Sequence, residues 1–153
     1  MAIQNLISAS IPQEVKKSIL EKLVSIKSDL SFLLSLQSNE IQSLFKASDS
    51  YAPFIEKAYN TVNDHPEIMS GVFDVAEFKK DYELSKDIVP IINAVNELAE
   101  SLQKTQIAIN SDAMTEALEV YAAVKQNKDK IPGLNVVSDE MGAFFKRTSK
   151  KTS

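Results

Sequence analysis

The sequence predicts an all-α fold, and three observations carry this prediction. Apolar residues recur at spacings of three and four along most of the 153-residue chain, which is the period of one face of an α-helix. Glycine and proline are scarce, at three and five residues, whereas a many-stranded β protein needs frequent turns. Hydrophobic residues make up 44%, enough for a globular core. We predict an antiparallel up-and-down four-helix-type bundle with short additional helices and a long, proline-kinked third helix.

The first predicted helix covers residues 12–34 and begins with Pro12, whose missing N–H costs nothing in a first turn. Ser38 is expected to cap a short turn that ends near Leu44. The apolar stripe of the first helix consists of Ile19, Leu23, Ile26, Leu30 and Leu33.

The second predicted helix covers residues 50–65, with Pro53 in its first turn. It ends at His65, because Pro66 disfavours helical geometry in the residue before it.

The third predicted helix is the longest and covers residues 74–109. Asp74 can cap it while Glu77 reaches back, which is the pattern of a capping box. Pro90 is expected to kink the helix without breaking it, because the apolar seam continues in phase across it. A seam with a 3.5-residue repeat is typical of a left-handed packed bundle. Its members are Leu84, Ile88, Ile91, Val95, Leu98, Leu102, Thr105 and Ile109.

The fourth predicted helix follows a short loop at residues 110–112 and stops at Pro132 and Gly133. Two adjacent apolar stripes predict a broad buried face on it. A fifth helix follows, in which Gly142 is expected to permit close approach of another helix. The two stripes are Ala113, Ala117, Val120 and Val124, then Met114, Leu118 and Tyr121; the fifth helix carries Leu134, Val137, Met141 and Phe144.

Most aromatic residues have core spacing and predict a packed core, with an apolar ligand pocket as the alternative. Phe144 and Phe145 are adjacent, so they cannot both face the interior from one helix. We expect one of them to cover a neighbouring element or a partner chain, which hints at a homo-oligomer.

The length predicts one helical-bundle domain over residues 1–147, followed by a flexible basic tail at 148–153. Net charge is −4; without Lys146, Arg147, Lys150 and Lys151, 13 basic residues face 21 acidic ones, which gives −8. An acidic body with a single arginine is a poor nucleic-acid surface. No apolar run has the length of a membrane span and no signal-peptide pattern opens the chain, so a cytoplasmic protein is expected.

The stretch NDHPEIMSGVFDVAEF, residues 63–78, holds the only histidine of the chain, His65, between Asp64 and Glu67. One histidine and no cysteine cannot supply the ligands of a ferritin-like di-iron site or of a zinc site. No serine elbow or glycine-rich phosphate loop is present. We interpret His65 as the end of a helix, where a donor meets the last carbonyl groups.

Carboxylate pairs at helical spacing offer a second kind of candidate site, as in glycosidases. Glu77 with Asp81, and Glu97 with Glu100, lie on one face of the third helix. Lysines close by in sequence favour a solvated face instead. We therefore predict no catalytic, cofactor-binding or metal-binding residues, no cofactor and no enzymatic activity.

A family of small uncharacterised bacterial helical proteins resembles this chain over roughly residues 30–135. The resemblance rests on a helix, a Pro-Glu turn and a D-V-x-E-F-x-x-D helix start, and it implies a helical bundle with no assigned biochemistry. The matching stretches are APFIEKAYNTVNDHPEIMSGVFDVAEFKKDYELSKDIVPII and AMTEALEVYAAVKQNKDKIPGL.

Two functions are compatible with these features. The first is a non-enzymatic interaction or scaffold protein that uses helix faces to bind itself or another protein. The second is a binding protein for an apolar, lipid-like small molecule held between helices.

Overall fold

A computed structural model describes residues 5–146 of the chain. These residues form five α-helices and two 3₁₀ turns, with no strand among them, so the all-α prediction is confirmed. The helices are α1 (Gln13–Asp29), α2 (Ser38–Ser43), α3 (Ala52–Asp64), α4 (Val75–Asn127) and α5 (Leu134–Lys146), and the 3₁₀ turns are Asp49–Tyr51 and Pro66–Ile68.

Backbone contacts divide the chain into two units. The first unit is Ile11–Leu98, and the second consists of the described residues of Met1–Ser10 and Ala99–Ser153. The single domain expected for residues 1–147 stays a prediction. The predicted flexible tail, residues 148–153, lies outside the described residues.

In the first unit, α1 is shorter than the sequence predicts. It ends at Asp29, and Leu30 leaves helical geometry at φ −98° and ψ 55°. The short helix α2 begins at Ser38, but the residue that caps it is Gln37, whose N–H donates to Glu40 Oε2 at 2.7 Å. Ser38 is therefore the first helical residue and not the cap.

The corner between α3 and α4 follows the sequence closely. His65 lies just past the end of α3, and its N–H donates to the Thr61 carbonyl at 2.8 Å. Asp74 caps α4, because its Oδ1 accepts the N–H of Glu77 at 3.0 Å. The rings of Phe73 and Phe78, on either side of the cap, meet edge to face at 6.1 Å. This contact is a hydrophobic staple, which fixes the direction in which the chain enters the helix.

Helix α4 is unbroken over 53 residues, although the sequence predicts a loop at 110–112. Pro90 lies inside the helix and does not interrupt it. The residues of the predicted loop favour helix starts by capping, but here their polar groups bond within the helix or to the amino-terminal segment. Asn110 Oδ1 accepts from Gln106 at 2.9 Å, and the Ser111 carbonyl accepts from Thr115 at 3.0 Å. With no proline or glycine there, the helix continues.

In the second unit, Asp112 holds the amino-terminal segment against α4. Its Oδ2 accepts the backbone N–H groups of Leu6 at 2.8 Å and Ile7 at 3.0 Å. A carboxylate that accepts two N–H groups makes charge-assisted bonds, which are stronger than neutral ones. The side chain that the sequence assigns to a helix start therefore makes a contact more than 100 residues away in the chain.

Helix α5 begins as predicted after Pro132 and Gly133. Gly133 has a φ of 91°, in the left-handed region where glycine carries no Cβ penalty. Helix α4 itself ends at Asn127, five residues before Pro132, so Gly133 forms the turn into α5 and does not end α4.

Few side chains are covered. Among the described residues, only Val62 and Ser138 are buried, at 6% and 8% exposure. The predicted packed core of aromatic residues is not formed: Phe54 and Phe144, for example, are 70% and 72% exposed. In α5 the inward face differs from the predicted stripe: Ser138 is buried and Phe145 stacks on Tyr121, whereas Phe144, a member of that stripe, is 72% exposed.

Replacing Asp74 with alanine should lower the free energy of unfolding by about 1 kcal/mol, because the N–H of Glu77 loses its acceptor. Urea unfolding followed by circular dichroism measures the change. Asp74→Ser is the matched control, since serine also caps and should cost only a few tenths. Equal stability of the alanine variant and the parent would contradict the cap.

Replacing Asp112 with alanine should release the amino-terminal segment. The amides of Leu6 and Ile7 should then exchange with solvent roughly five- to tenfold faster, since each loses a charged acceptor. The solvent-exchange rates of these two amides, measured by NMR, test this prediction. Glu116→Ala removes the same charge one turn along and accepts neither amide, so it should leave both rates unchanged.

Candidate functional site

The carboxylate pairs named from the sequence lie on exposed helix surface beside lysines. Glu77 approaches Lys80 Nζ to 3.5 Å, and both side chains are largely exposed. Glu100 pairs in the same way with Lys104, which lies one turn further along the same helix. Exposed pairs of this kind contribute little to stability.

His65 is paired with an acid but is not part of a larger constellation. Its Nδ1 lies 3.0 Å from Glu67 Oε1, and the two side chains are 63% and 68% exposed. Within residues 5–146, no three histidine, cysteine or acidic side chains are grouped so that they could hold a metal ion. The His65 imidazole therefore meets Glu67 of the following turn, whereas it is the backbone N–H of His65 that meets a carbonyl group at the end of α3.

A polar groove of about 430 Å³ lies between α3 and the start of α4. Tyr59 and Tyr82 stack in it with ring centroids 4.0 Å apart, and Lys86 Nζ lies 5.2 Å from the Tyr82 ring. The Tyr59 hydroxyl donates to Glu83 at 3.2 Å. These contacts join α3 to α4, so the simplest role of the tyrosines is structural. No pattern in the sequence indicated that these two tyrosines would stack.

The second unit carries an apolar groove. It lies between the last third of α4 and α5, and its volume is about 440 Å³. None of the side chains that line it is charged, which favours an apolar group in it. Its lining is Met114, Ala117, Leu118, Tyr121, Met141, Phe144 and Phe145. Six of these seven residues, all except Phe145, belong to the apolar stripes of the fourth and fifth predicted helices.

Gly142 lets α5 approach Tyr121 closely, as its position in the sequence suggested. A Cβ at this position would lie 2.9 Å from the Tyr121 hydroxyl oxygen, inside normal contact distance. The same tyrosine stacks on Phe145 at 5.7 Å and lies under Lys125 Nζ at 4.5 Å. Tyr121 is therefore the side chain on which the two helices meet. The cation–π contact with Lys125, one turn away, could have been found from the spacing of four.

None of the helices in residues 5–146 combines the length and the apolar character that crossing a bilayer requires.

Comparison with protein-family models, with curated proteins and with solved structures gives no match. The resemblance to a bacterial helical family therefore stays an expectation, and the function must be argued from the surfaces themselves.

Replacing Gly142 with alanine should change the stability of the chain differently when residue 121 is tyrosine and when it is phenylalanine. Alanine favours a helix by about 1 kcal/mol over glycine, but its Cβ meets the Tyr121 hydroxyl at 2.9 Å. Once Tyr121→Phe removes that oxygen, the nearest remaining ring atom is the one at 4.0 Å, which is ordinary contact. Alanine should therefore stabilise the phenylalanine background by about 0.5 kcal/mol or more relative to the tyrosine background.

Urea unfolding of the four proteins in this cycle measures the coupling. Gly71→Ala is the matched control, because a Cβ there has no neighbour within 4 Å, so its effect should be equal in both backgrounds. An equal effect of Gly142→Ala with tyrosine and with phenylalanine would show that the close approach does not constrain α5.

Proposed function

We propose that this chain is a non-enzymatic interaction or scaffold protein whose apolar helix faces bind another helical protein chain. The observation that supports it most directly is in the first unit, where α1 and the start of α4 each present an apolar stripe to solvent. Apolar surface of this kind marks an interaction site when it is contiguous.

Helix α1 is amphipathic and carries its apolar stripe on one face, as helices that bind through one face do. Ile19, Leu23 and Ile26 are 44%, 44% and 45% exposed. Lys22 and Lys27 flank them, at about 60–80° around the helix from the centre of the stripe. Lysine stems can extend the apolar contact while their charges stay in water. A partner helix with acidic flanks fits this surface.

The seam of α4 in the first unit is broader than the seam of a two-stranded coiled coil. Leu84, Ile91, Val95 and Leu98 are 39–53% exposed. Two-stranded coils usually carry glutamate or lysine beside such a seam, but here only one of the four flanking residues is charged. A wide apolar face favours contact with more than one helix. The flanking residues are Ser85, Asp87, Ile92 and Ala94.

Covering these faces would complete the antiparallel four-helix-type bundle that the sequence predicts. Pro90 lies roughly 120° around α4 from the seam. A kink there would curve the helix around its partners with the proline on the outer side, as helices curve around a core. The bundle and the kink are both part of this proposal.

A second candidate function is the binding of an apolar small molecule. The apolar groove supports it, since 440 Å³ lies within the range of small-molecule sites and the lining carries no charge. Native mass spectrometry of the chain purified without detergent distinguishes this candidate, because a bound lipid adds its mass to the protein.

Photo-crosslinking in the native cell tests the interaction function. A photo-crosslinking amino acid in place of Leu23 points out of the α1 stripe, and it should capture a protein, whether another copy or a different chain. The same amino acid in place of Ser25 is the control, since that position lies roughly 200° around the helix from Leu23. Capture at position 23 and not at 25 supports the proposal. Absence of any protein adduct at position 23 would refute it.

A further inference from the structure

The apolar stripe of α4 in the second unit extends beyond the apolar groove. Ile107, Met114 and Tyr121 are seven residues apart, and Leu118 lies between the last two, so all four share one helix face. Ile107 is 69% exposed and Met114 is 49% exposed. A ligand that filled only the groove would leave Ile107 open to water.

Phe144 is a projecting side chain beside this stripe. Its neighbour Phe145 stacks on Tyr121 at 5.7 Å, so Phe144, about 100° further round α5, is directed away from that ring stack. It lines the edge of the apolar groove and is 72% exposed. A projection and a groove therefore lie side by side on one surface. A surface of this kind can bind a copy of itself across a two-fold axis, with each projection in the other copy's groove.

The charges of α4 allow a second acidic copy to approach this surface. Asp112, Glu116 and Glu119 lie roughly 140–200° around the helix from Met114. Asp112 also accepts the amino-terminal amides on that opposite side. No charged side chain lines the groove itself; Glu140, one turn before Phe144 on α5, is the acid nearest to this surface in sequence.

The exposed apolar area matches what a dimer needs. Ile107, Met114, Leu118, Phe144 and Phe145 are 45–72% exposed, which corresponds to roughly 500–600 Å² of apolar surface for residues of their size. A standard interface buries about 800 Å² per partner, of which about 57% is apolar. The stripe and groove thus supply about the apolar share of one such patch.

We propose that this surface binds a second copy of the chain through a two-fold interface. Phe144 of each copy enters the partner copy's groove, between Met114, Leu118 and Met141, and Ile107 is covered at the edge. This inference rests on the proposed interaction function and names its partner for the second unit. A second copy covers both the groove and Ile107, whereas an acyl chain in the groove covers only the first.

Sedimentation equilibrium of the full chain over a wide concentration range tests the proposal. The wild-type chain should approach twice its 16.9 kDa mass. Phe144→Glu should raise the dimer dissociation constant by about 30-fold or more, as expected for a central aromatic residue. Ile107→Glu on α4 should also raise the dissociation constant of the dimer. This second variant keeps the test decisive if circular dichroism shows that Phe144→Glu does not fold. Phe45→Glu is the matched control, because Phe45 is fully exposed in the first unit, and it should not change the constant.

Three results would overturn the proposal. The first is a wild-type chain that stays at 16.9 kDa at every concentration. The second is a dimer that both variants leave intact; the interface then lies elsewhere, and the interaction function still stands. The third is a monomer that binds the fluorescent fatty acid cis-parinaric acid and loses it on Phe144→Glu, which assigns the groove to a lipid-like ligand. Failure of the interaction function itself would appear in a different experiment, as the absence of any photo-crosslinked protein at the α1 stripe.

Discussion

Helix α4 sets the constraint on which the rest of the structure depends. It runs for 53 residues without a break, while α3 and α5 have 13 residues each. Helices that short can cover only part of an apolar stripe that continues along so long a neighbour. Tyr82 meets Tyr59 of α3, and Tyr121 meets Phe145 of α5. Between and beside these contacts, apolar side chains remain in water, and the hydrophobic effect favours any partner that covers them.

The helix ends were largely predictable, because each depends on residues next to one another in the chain. Pro66 stops α3 at His65, Asp74 caps α4 and Gly133 supplies the left-handed turn before α5. The loop at 110–112 was wrong for the opposite reason. Asp112 looks like a helix cap, but its carboxylate binds Leu6 and Ile7, and no local pattern indicates a partner so distant in sequence.

The candidate surface was predictable in its residues but not in its exposure. Spacing placed Met114, Leu118 and Tyr121 on one face, and Gly142 was correctly assigned to close helix approach. Periodicity reports which side of a helix is apolar, and it carries no information about what covers that side. The sequence therefore implied a packed core where the structure has an open groove. The adjacency of Phe144 and Phe145 was the one local sign that an aromatic residue would face outward.

Open apolar faces also link folding to binding. Isolated helices shorter than about 12–15 residues are marginal in water, and α5, with 13 residues, lies in that range. Contacts that hold α5 on α4 include the Tyr121–Phe145 stack and the fit of Gly142 against Tyr121. A partner that covers Phe144 and the groove binds the folded α5 and not the unfolded chain, so it stabilises α5 by an amount that grows with the logarithm of its concentration above the dissociation constant. The same surface that identifies a partner would then also determine how firmly the end of the chain is folded.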